Sequence, residues 1–493
     1  MISRWNSLLF ILILTVIAIF SIYYAMSASL WRDEIYSLNV AHAGVDDLVD
    51  SVLSDVHPPL YYVAIAFVSD IFGYSWVKLR LFSVLQFVLA LSLSYFVMCR
   101  FMRRTFALSA TLAIALNPFF FDRVLQIRMY GLLWLFLAAS TYFFVSVLEE
   151  EQNNKAKSVA VAFVVFCLFA SYSHNYGILF IFSFFVVKFI VIVIYLVEKA
   201  RRAREILLSW MTMGIVFSAL YAPGLYLAAR GFSKIEGDFW IDREPMWQYM
   251  GGLIAIFSGT LYSFVPYVLA PLYTFLIAVA VYAHVSLYSR DWKTMLRHPL
   301  TMIAVACFLP VLVTAVMSEI IQPIFLPRGL IWAGVVFIMV AFRGLDRIYS
   351  HGRKAVAVAT TVGILILGFV SFLDFVLNHQ RPNYLAGLAW LSQNIASDDI
   401  VAVSSMPSGP ALRMLMRNEG IDREPLRVGD RLPESRLVGA RLWIVGRMFN
   451  GVWPRTLVER DLHSIVSLGR VDGVEIYCVT GHDAVQVRCP REL

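Results

Sequence analysis

The chain has 493 residues, 59% of them hydrophobic and only 15% charged, with a formal net charge of +7 and a mean hydropathy of +0.71. A soluble domain carries about 25% charged residues because its surface must hydrate, so a chain this long and this poor in charge needs lipid around much of its surface. The basic residues sit in short clusters between apolar runs, which is how membrane loops are charged, and that argues against a nucleic-acid partner.

Apolar runs of about twenty residues predict eleven spans, near 8–28, 75–99, 107–121, 129–148, 159–171, 177–197, 207–229, 264–288, 300–317, 329–342 and 355–375. The first follows a short basic segment containing Arg4 and lacks a small-x-small cleavage site after it, so it is expected to be a retained helix. The loop at 29–74 contains an amphipathic stretch from Val45 to Leu53. A run from Tyr61 to Phe72 follows, apolar but too short to span, and is expected to lie at the interface. The other long loop, 230–263, is polar until Trp247 and then apolar and Gly-rich.

Basic residues set the predicted orientation. Arg100, Arg103 and Arg104; Lys155 and Lys157; Lys199, Arg201, Arg202 and Arg204; Arg290, Lys293 and Arg297; and Arg343, Arg347, Arg353 and Lys354 fall in alternate loops. Those loops are predicted cytoplasmic, with the N-terminus inside and the two long loops on the outer face. After Leu377 charged residues, Pro and Gly return. Asn383 to Ile395 has helical spacing, and Asp399 to Ser405, Arg441 to Val445 and Gly473 to Val479 read as strands. The expected organisation is a transmembrane module over 1–377 and a small periplasmic α/β domain over 378–493. Cys99, Cys167 and Cys307 fall in apolar runs, whereas Cys478 and Cys489 lie in the polar tail and are candidates for a disulfide in an oxidising compartment.

Ionisable residues close to lipid must be compensated, so their placement is informative. On the outer face Asp33 and Glu34 adjoin Trp31 at the exit of the first span. Asp55-x-His57-Pro58-Pro59-Leu60-Tyr61-Tyr62 follows in the same loop, and Gln126-x-Arg128-Met129-Tyr130-Gly131 opens the fourth span. Lys188, near the middle of the sixth span, receives no role from the sequence.

These motifs, with Gly73-Tyr74-Ser75, Arg80-Leu81-Phe82-Ser83, Tyr172-x-His174-Asn175-Tyr176-Gly177 and Pro327-Arg328-Gly329-Leu330, resemble the signature region of bacterial GT-C glycosyltransferases. That group is similar to the dolichyl-phosphate-mannose protein mannosyltransferases and the lipid A aminoarabinose transferase. The chain departs from the pattern at Gly329, where the family often has Tyr. The resemblance implies a polytopic α-helical GT-C fold in an inner (cytoplasmic) membrane. It also implies a polyprenyl-phosphate sugar donor, an outer-face acceptor and inversion at the anomeric carbon.

Asp33 matches the family's catalytic acid, and an acceptor hydroxyl does need a carboxylate to take its proton. Glu34 is placed to orient Asp33, bind acceptor or join a metal site. Arg128 and Arg328 are the expected grips on the leaving lipid phosphate, with His57, Lys78 and Arg80 as further candidates. Tyr61, Tyr130, Tyr172, Tyr176 and Asn175 are expected at the substrate. Some members use a divalent ion, for which Asp55, His57 and His174 are chemically suitable ligands. A lipid-linked sugar flippase would show internal repeats or midplane polar helices. An O-antigen ligase or polymerase would use a diphosphate-linked donor and leaves the Asp-Glu and His-Pro-Pro loop unaccounted for.

Overall fold

The computed structural model describes residues 2–42, 57–151, 157–235, 246–259, 265–287, 291–321, 323–378, 384–396, 399–404, 410–422, 426–427, 441–446, 464–471 and 474–480. It is a polytopic α-helical membrane protein. The helices are α1 (Ile2–Ser27), α2 (Arg32–His42), α3 (Leu60–Phe72), α4 (Trp76–Met98), α5 (Arg104–Ala115), α6 (Pro118–Val124), α7 (Tyr130–Glu150), α8 (Lys157–Ser173) and α9 (Asn175–Val197). They continue with α10 (Ala203–Ile235), α11 (Met246–Ser258), α12 (Val265–Leu287), α13 (Trp292–Arg297), α14 (Pro299–Ile320), a 3-10 turn at Pro327–Leu330, α15 (Ile331–Ser350) and α16 (Lys354–Asn378).

Among the described residues nine helices are long and apolar enough to cross a membrane. The expected span at 107–121 is instead the pair α5 and α6, bent by 65°. The cause is local: Pro118 cannot donate to the preceding turn, and Asn117 starts a new helix by accepting the Phe119 N–H at 2.9 Å. The expected span at 159–171 is α8, an apolar helix of 17 residues. The stretch from Tyr61 forms α3, helical but too short to span. Inside the bundle, the buried hydroxyls of Ser94, Thr111, Ser140 and Thr141 donate to carbonyls four residues back, which satisfies these groups away from water. Large apolar side chains such as Ile11, Phe182, Phe189 and Ile366 remain exposed along the helices, as lipid-facing surface should.

Two compact units make up the chain. One comprises Met1–Tyr23, Val49–Ala64 and Arg80–Leu377, the other Tyr24–Leu48, Ile65–Leu79 and Asn378–Leu493. In the first, α15 is the most enclosed span, and its core residues Trp332, Val336, Met339 and Phe342 are buried. Helices α8 and α9 are joined by His174 alone. That turn is tight enough that a Cβ on Gly177 would lie 2.0 Å from the Ala170 carbonyl oxygen, so only glycine fits.

The second unit adds α17 (Tyr384–Asn394), β1 (Ile400–Ser404), α18 (Pro410–Asn418), β2 (Leu426–Arg427), β3 (Arg441–Gly446), β4 (Ser464–Val471) and β5 (Val474–Thr480). Its mixed sheet has the order β2-β1-β3-β5-β4, parallel across β2, β1 and β3 and antiparallel across β3, β5 and β4. The buried Asp399 carboxylate closes one edge of the fold, accepting from Trp443 Nε1 and from the Ala396 N–H, each at 2.8 Å. The sequence did not suggest β4; a register shift between Ser467 and Gly469 breaks the two-residue alternation that marks a strand.

Candidate active site

Three helix starts converge in the first unit: those of α7, α9 and the 3-10 turn that leads into α15. The convergence is seen in side chains. The Tyr130 ring, at the first residue of α7, lies 5.7 Å from the ring of His174, the N-cap of α9. The Arg328 guanidinium stands 5.8 Å above the same Tyr130 ring, within cation–π reach. His57, just ahead of α3, places its ring 5.7 Å from His174 on another side. Arg128, two residues before α7, is buried.

The His174 environment reports the charge of the cluster. Burial, and then the electrostatic influence of His57, Arg128 and Arg328, holds its pKa well below the ordinary imidazole value. His174 Nδ1 accepts the Tyr176 N–H at 3.0 Å, so the neutral ring carries its proton on Nε2 and presents a donor. Helix starts are themselves electropositive and favour anions. Two guanidinium groups, an imidazole N–H and three helix starts have the chemistry to receive an anion.

The acidic pair lies in the second unit, in the first turn of α2. Glu34 is fully buried, and its Oε2 accepts the Trp31 N–H at 2.9 Å. A carboxylate reaching back to the N-cap amide is half of a capping box. Asp33, one residue earlier, stays partly accessible, with Oδ1 3.4 Å from Arg32 Nε. The Tyr74 hydroxyl donates to the Leu38 carbonyl at 3.3 Å and its ring packs on His42 at 4.9 Å. Helix α18, whose Leu412, Leu415 and Met416 are buried, packs against α2. The tail therefore contributes to holding the helix that carries Asp33.

Other predicted residues are placed as follows. Lys78 Nζ donates to the Phe72 carbonyl at the end of α3, within the second unit. Arg80 and Tyr61 are fully buried. Asn175 is the first residue of α9. Tyr172 is turned to α10: its hydroxyl donates to the Leu220 carbonyl at 2.8 Å and its ring meets Tyr221 at 5.1 Å. Tyr176, expected at the substrate, has its hydroxyl on the Ile324 carbonyl and the Leu326 N–H, and its ring against Gly329. Asp55 and Cys489 lie outside the described residues; Cys478 is disulfide-bonded, and Cys99, Cys167 and Cys307 are free thiols.

For a metal the described residues do not supply a ligand set. Among them no three His, Cys, Asp or Glu side chains come together for one ion, and the His174 lone pair on Nδ1 is already engaged. The sequence motifs include Ser83 and Gln126 but not their neighbour Asp122. Ser83 donates to the Gln126 carbonyl at 2.9 Å, tying α4 to the segment before Arg128, and Gln126 Nε2 donates to buried Asp122 at 3.3 Å. The signal was present: Asp122 and Gln126 are four apart, the spacing of one helix face.

The helical bundle is similar in fold to solved structures of ArnT and of an archaeal oligosaccharyltransferase. The chain matches ArnT from Cupriavidus metallidurans in the apo state with a TM-score of 0.60 at 14% identity, over 97% of this chain and 98% of that one. It matches the same protein bound to undecaprenyl phosphate at 0.59 and 14% identity, over 99% of each chain. The archaeal oligosaccharyltransferase AglB from Archaeoglobus fulgidus, in complex with an inhibitory peptide and a dolichol-phosphate, gives 0.52 at 11% identity, over 96% of this chain and 74% of that one. At such identities the likeness is one of fold.

More particularly, residues 56–226 match the family described as dolichyl-phosphate-mannose-protein mannosyltransferase. That segment contains His57, Arg128, Tyr130, His174 and Tyr176. The chain thus resembles the GT-C glycosyltransferases both in this signature segment and in its whole fold. No curated protein matches the chain in sequence.

Proposed function

We propose that the protein is an inverting glycosyltransferase of the cytoplasmic membrane. It moves a sugar from a polyprenyl-phosphate carrier to an acceptor on the periplasmic face, such as a glycolipid, lipopolysaccharide, polysaccharide or protein. In this reading the N-terminus is cytoplasmic and the C-terminal domain periplasmic. The observation that carries the proposal is the gathering of Arg128, Arg328 and His57 around His174 at three helix starts.

The chemistry follows from the charges. The acceptor oxygen attacks the anomeric carbon as the bond from that carbon to the phosphate oxygen breaks, and Asp33 takes the acceptor's proton. The donor phosphodiester carries one negative charge, while the departing polyprenyl phosphate carries up to two. Cations that meet this growing charge stabilise the transition state more than the bound donor, which is what acceleration requires. Arg128 and Arg328 are suited to bidentate contact with phosphate oxygens, and His174 Nε2–H adds a neutral donor. Glu34, by capping α2, fixes the direction of Asp33.

The test is to incubate purified protein with a panel of polyprenyl-phosphate sugars and candidate acceptors, and to identify products by mass spectrometry. Transfer should release polyprenyl phosphate, and Asp33→Asn should lower turnover by about 10²–10⁴-fold while the protein remains folded in detergent. Near-wild-type turnover by that variant would refute the role given to Asp33.

A further inference from the structure

The segment that carries Arg328 leaves α14 and enters the 3-10 turn at Pro327–Leu330 without regular structure of its own over residues 323–326. Its backbone groups need partners from elsewhere, and two hydroxyls supply them. Ser318 Oγ, on α14, accepts the Ile324 N–H at 2.9 Å and the Phe325 N–H at 2.7 Å, and donates to the Thr314 carbonyl at 2.7 Å. Tyr176 Oη, on α9, accepts the Leu326 N–H at 2.7 Å and donates to the Ile324 carbonyl. Three consecutive amides are thus held by side-chain oxygens, one of them from a helix about 150 residues away in sequence.

The Tyr176 ring completes the hold. It covers Gly329 so closely that a Cβ there would lie 2.6 Å from the ring, so glycine at this position is what lets the ring close over the turn. Arg328 lies between the residues Tyr176 grips, Ile324 and Leu326 on one side and Gly329 on the other, and its guanidinium turns to the Tyr130 ring. The Tyr176 backbone N–H is itself fixed by His174. Tyr176 therefore ties the neutral His174 turn to the segment that carries Arg328.

We propose that Tyr176 is the positioning residue for Arg328, holding the arginine-bearing segment in the geometry that receives a lipid-linked phosphate. This rests on reading the cluster as the donor-phosphate site. A flexible guanidinium pays ordering entropy when it binds an anion; one held in advance by its backbone does not. The loss of the Tyr176 hydroxyl should therefore fall on the donor rather than on the fold or on the acceptor.

The test uses full-length protein in detergent and undecaprenyl phosphate as the probe. Tyr176→Phe keeps the ring and is expected to weaken binding of that lipid about tenfold, the scale of one hydrogen bond. In turnover, KM for the lipid-phosphate donor should rise while KM for the acceptor stays put. Arg328→Ala should weaken binding at least as much, and Tyr176→Phe/Arg328→Ala should bind no worse than Arg328→Ala alone, because the tyrosine acts through the arginine. Additive losses, or unchanged binding by Tyr176→Phe when Arg328→Ala is impaired, overturn the positioning role and leave the phosphate site standing. Unchanged binding by Arg328→Ala overturns both. If Tyr176→Phe does not fold, Ser318→Ala tests the same segment with the same readouts, and unimpaired binding by that variant counts against the proposal.

Discussion

Followed along their length, α7, α9 and α15 run between two regions that handle charge differently. Where they end, cations and carboxylates are joined across helices. Lys188 Nζ lies 2.7 Å from Glu151, which also accepts from Trp210 Nε1 and, through its carbonyl, from Arg202. Arg343 sits 2.6 Å from Asp346, with Arg103 at 3.6 Å on the same carboxylate, and Glu198 gathers Arg297 and Lys293. Where the same helices begin, His57, Arg128 and Arg328 surround one neutral histidine, and the contacts among them run through aromatic rings. Paired charges cancel and tie helices together. Cations gathered at helix starts favour an anion beside them.

The comparison can be broken first at the paired end. Lys188 is 1% exposed, and removing it leaves Glu151 with its charge partner gone. Breaking a buried pair on one side costs about 3–5 kcal/mol, so Lys188→Ala should unfold in detergent at a clearly lower temperature. Its binding of undecaprenyl phosphate should stay as in the unmodified protein. The reverse pattern, intact stability with lost binding, would mean that Lys188 belongs to a ligand site and that the two ends are alike.

Arg328→Ala probes the other end and should give the opposite result. Truncating a charged group that grips a phosphate is expected to weaken lipid-phosphate binding by about 100-fold, with the unfolding temperature little changed. A large drop in stability without a change in affinity would show that Arg328 serves packing.

The contrast between the ends was half legible in the sequence. Arg128 and His174 stood out because they sit in motifs at the outer ends of apolar runs, and the structure brings both to the same cluster. Tyr172 and Tyr176 looked equivalent, four residues apart in one motif. What separates them is the single-residue turn at His174, which leaves Tyr172 on α8 facing α10 and puts Tyr176 on α9 over Gly329. No local pattern encodes that turn, because its tightness depends on contact between two helices. Lys188 was visible as an oddity, but its partner Glu151 ends α7, 37 residues away, and only packing joins them. Likewise Ser318 reads as one more hydroxyl in a span until the amides it holds are seen. Spans could be read because lipid imposes composition on them, and the break at Asn117-Pro118 is local, an N-cap followed by a proline; the α2–α18 contact comes from tertiary structure.

The smallest effect tests the sign of the field at the convergent helix starts. In the unfolded chain His174 takes up a proton near pH 6.5; in the folded protein burial and its cationic neighbours keep it neutral well below that. Below pH 6.5 the unfolded state then binds more protons, so the stability His174 contributes is fully present above that pH and is lost as pH falls toward the folded value. Each pH unit in that window removes at most about 1.4 kcal/mol. His174→Asn keeps a side chain able to cap α9 but cannot titrate in this range. Unfolding temperatures at pH 7.5 and 5.5 should therefore fall less in His174→Asn than in the unmodified protein. A larger fall in the variant would mean that protonated His174 is stabilised by the fold, which requires a net negative field where the helices begin, and an anion would then have no reason to bind there.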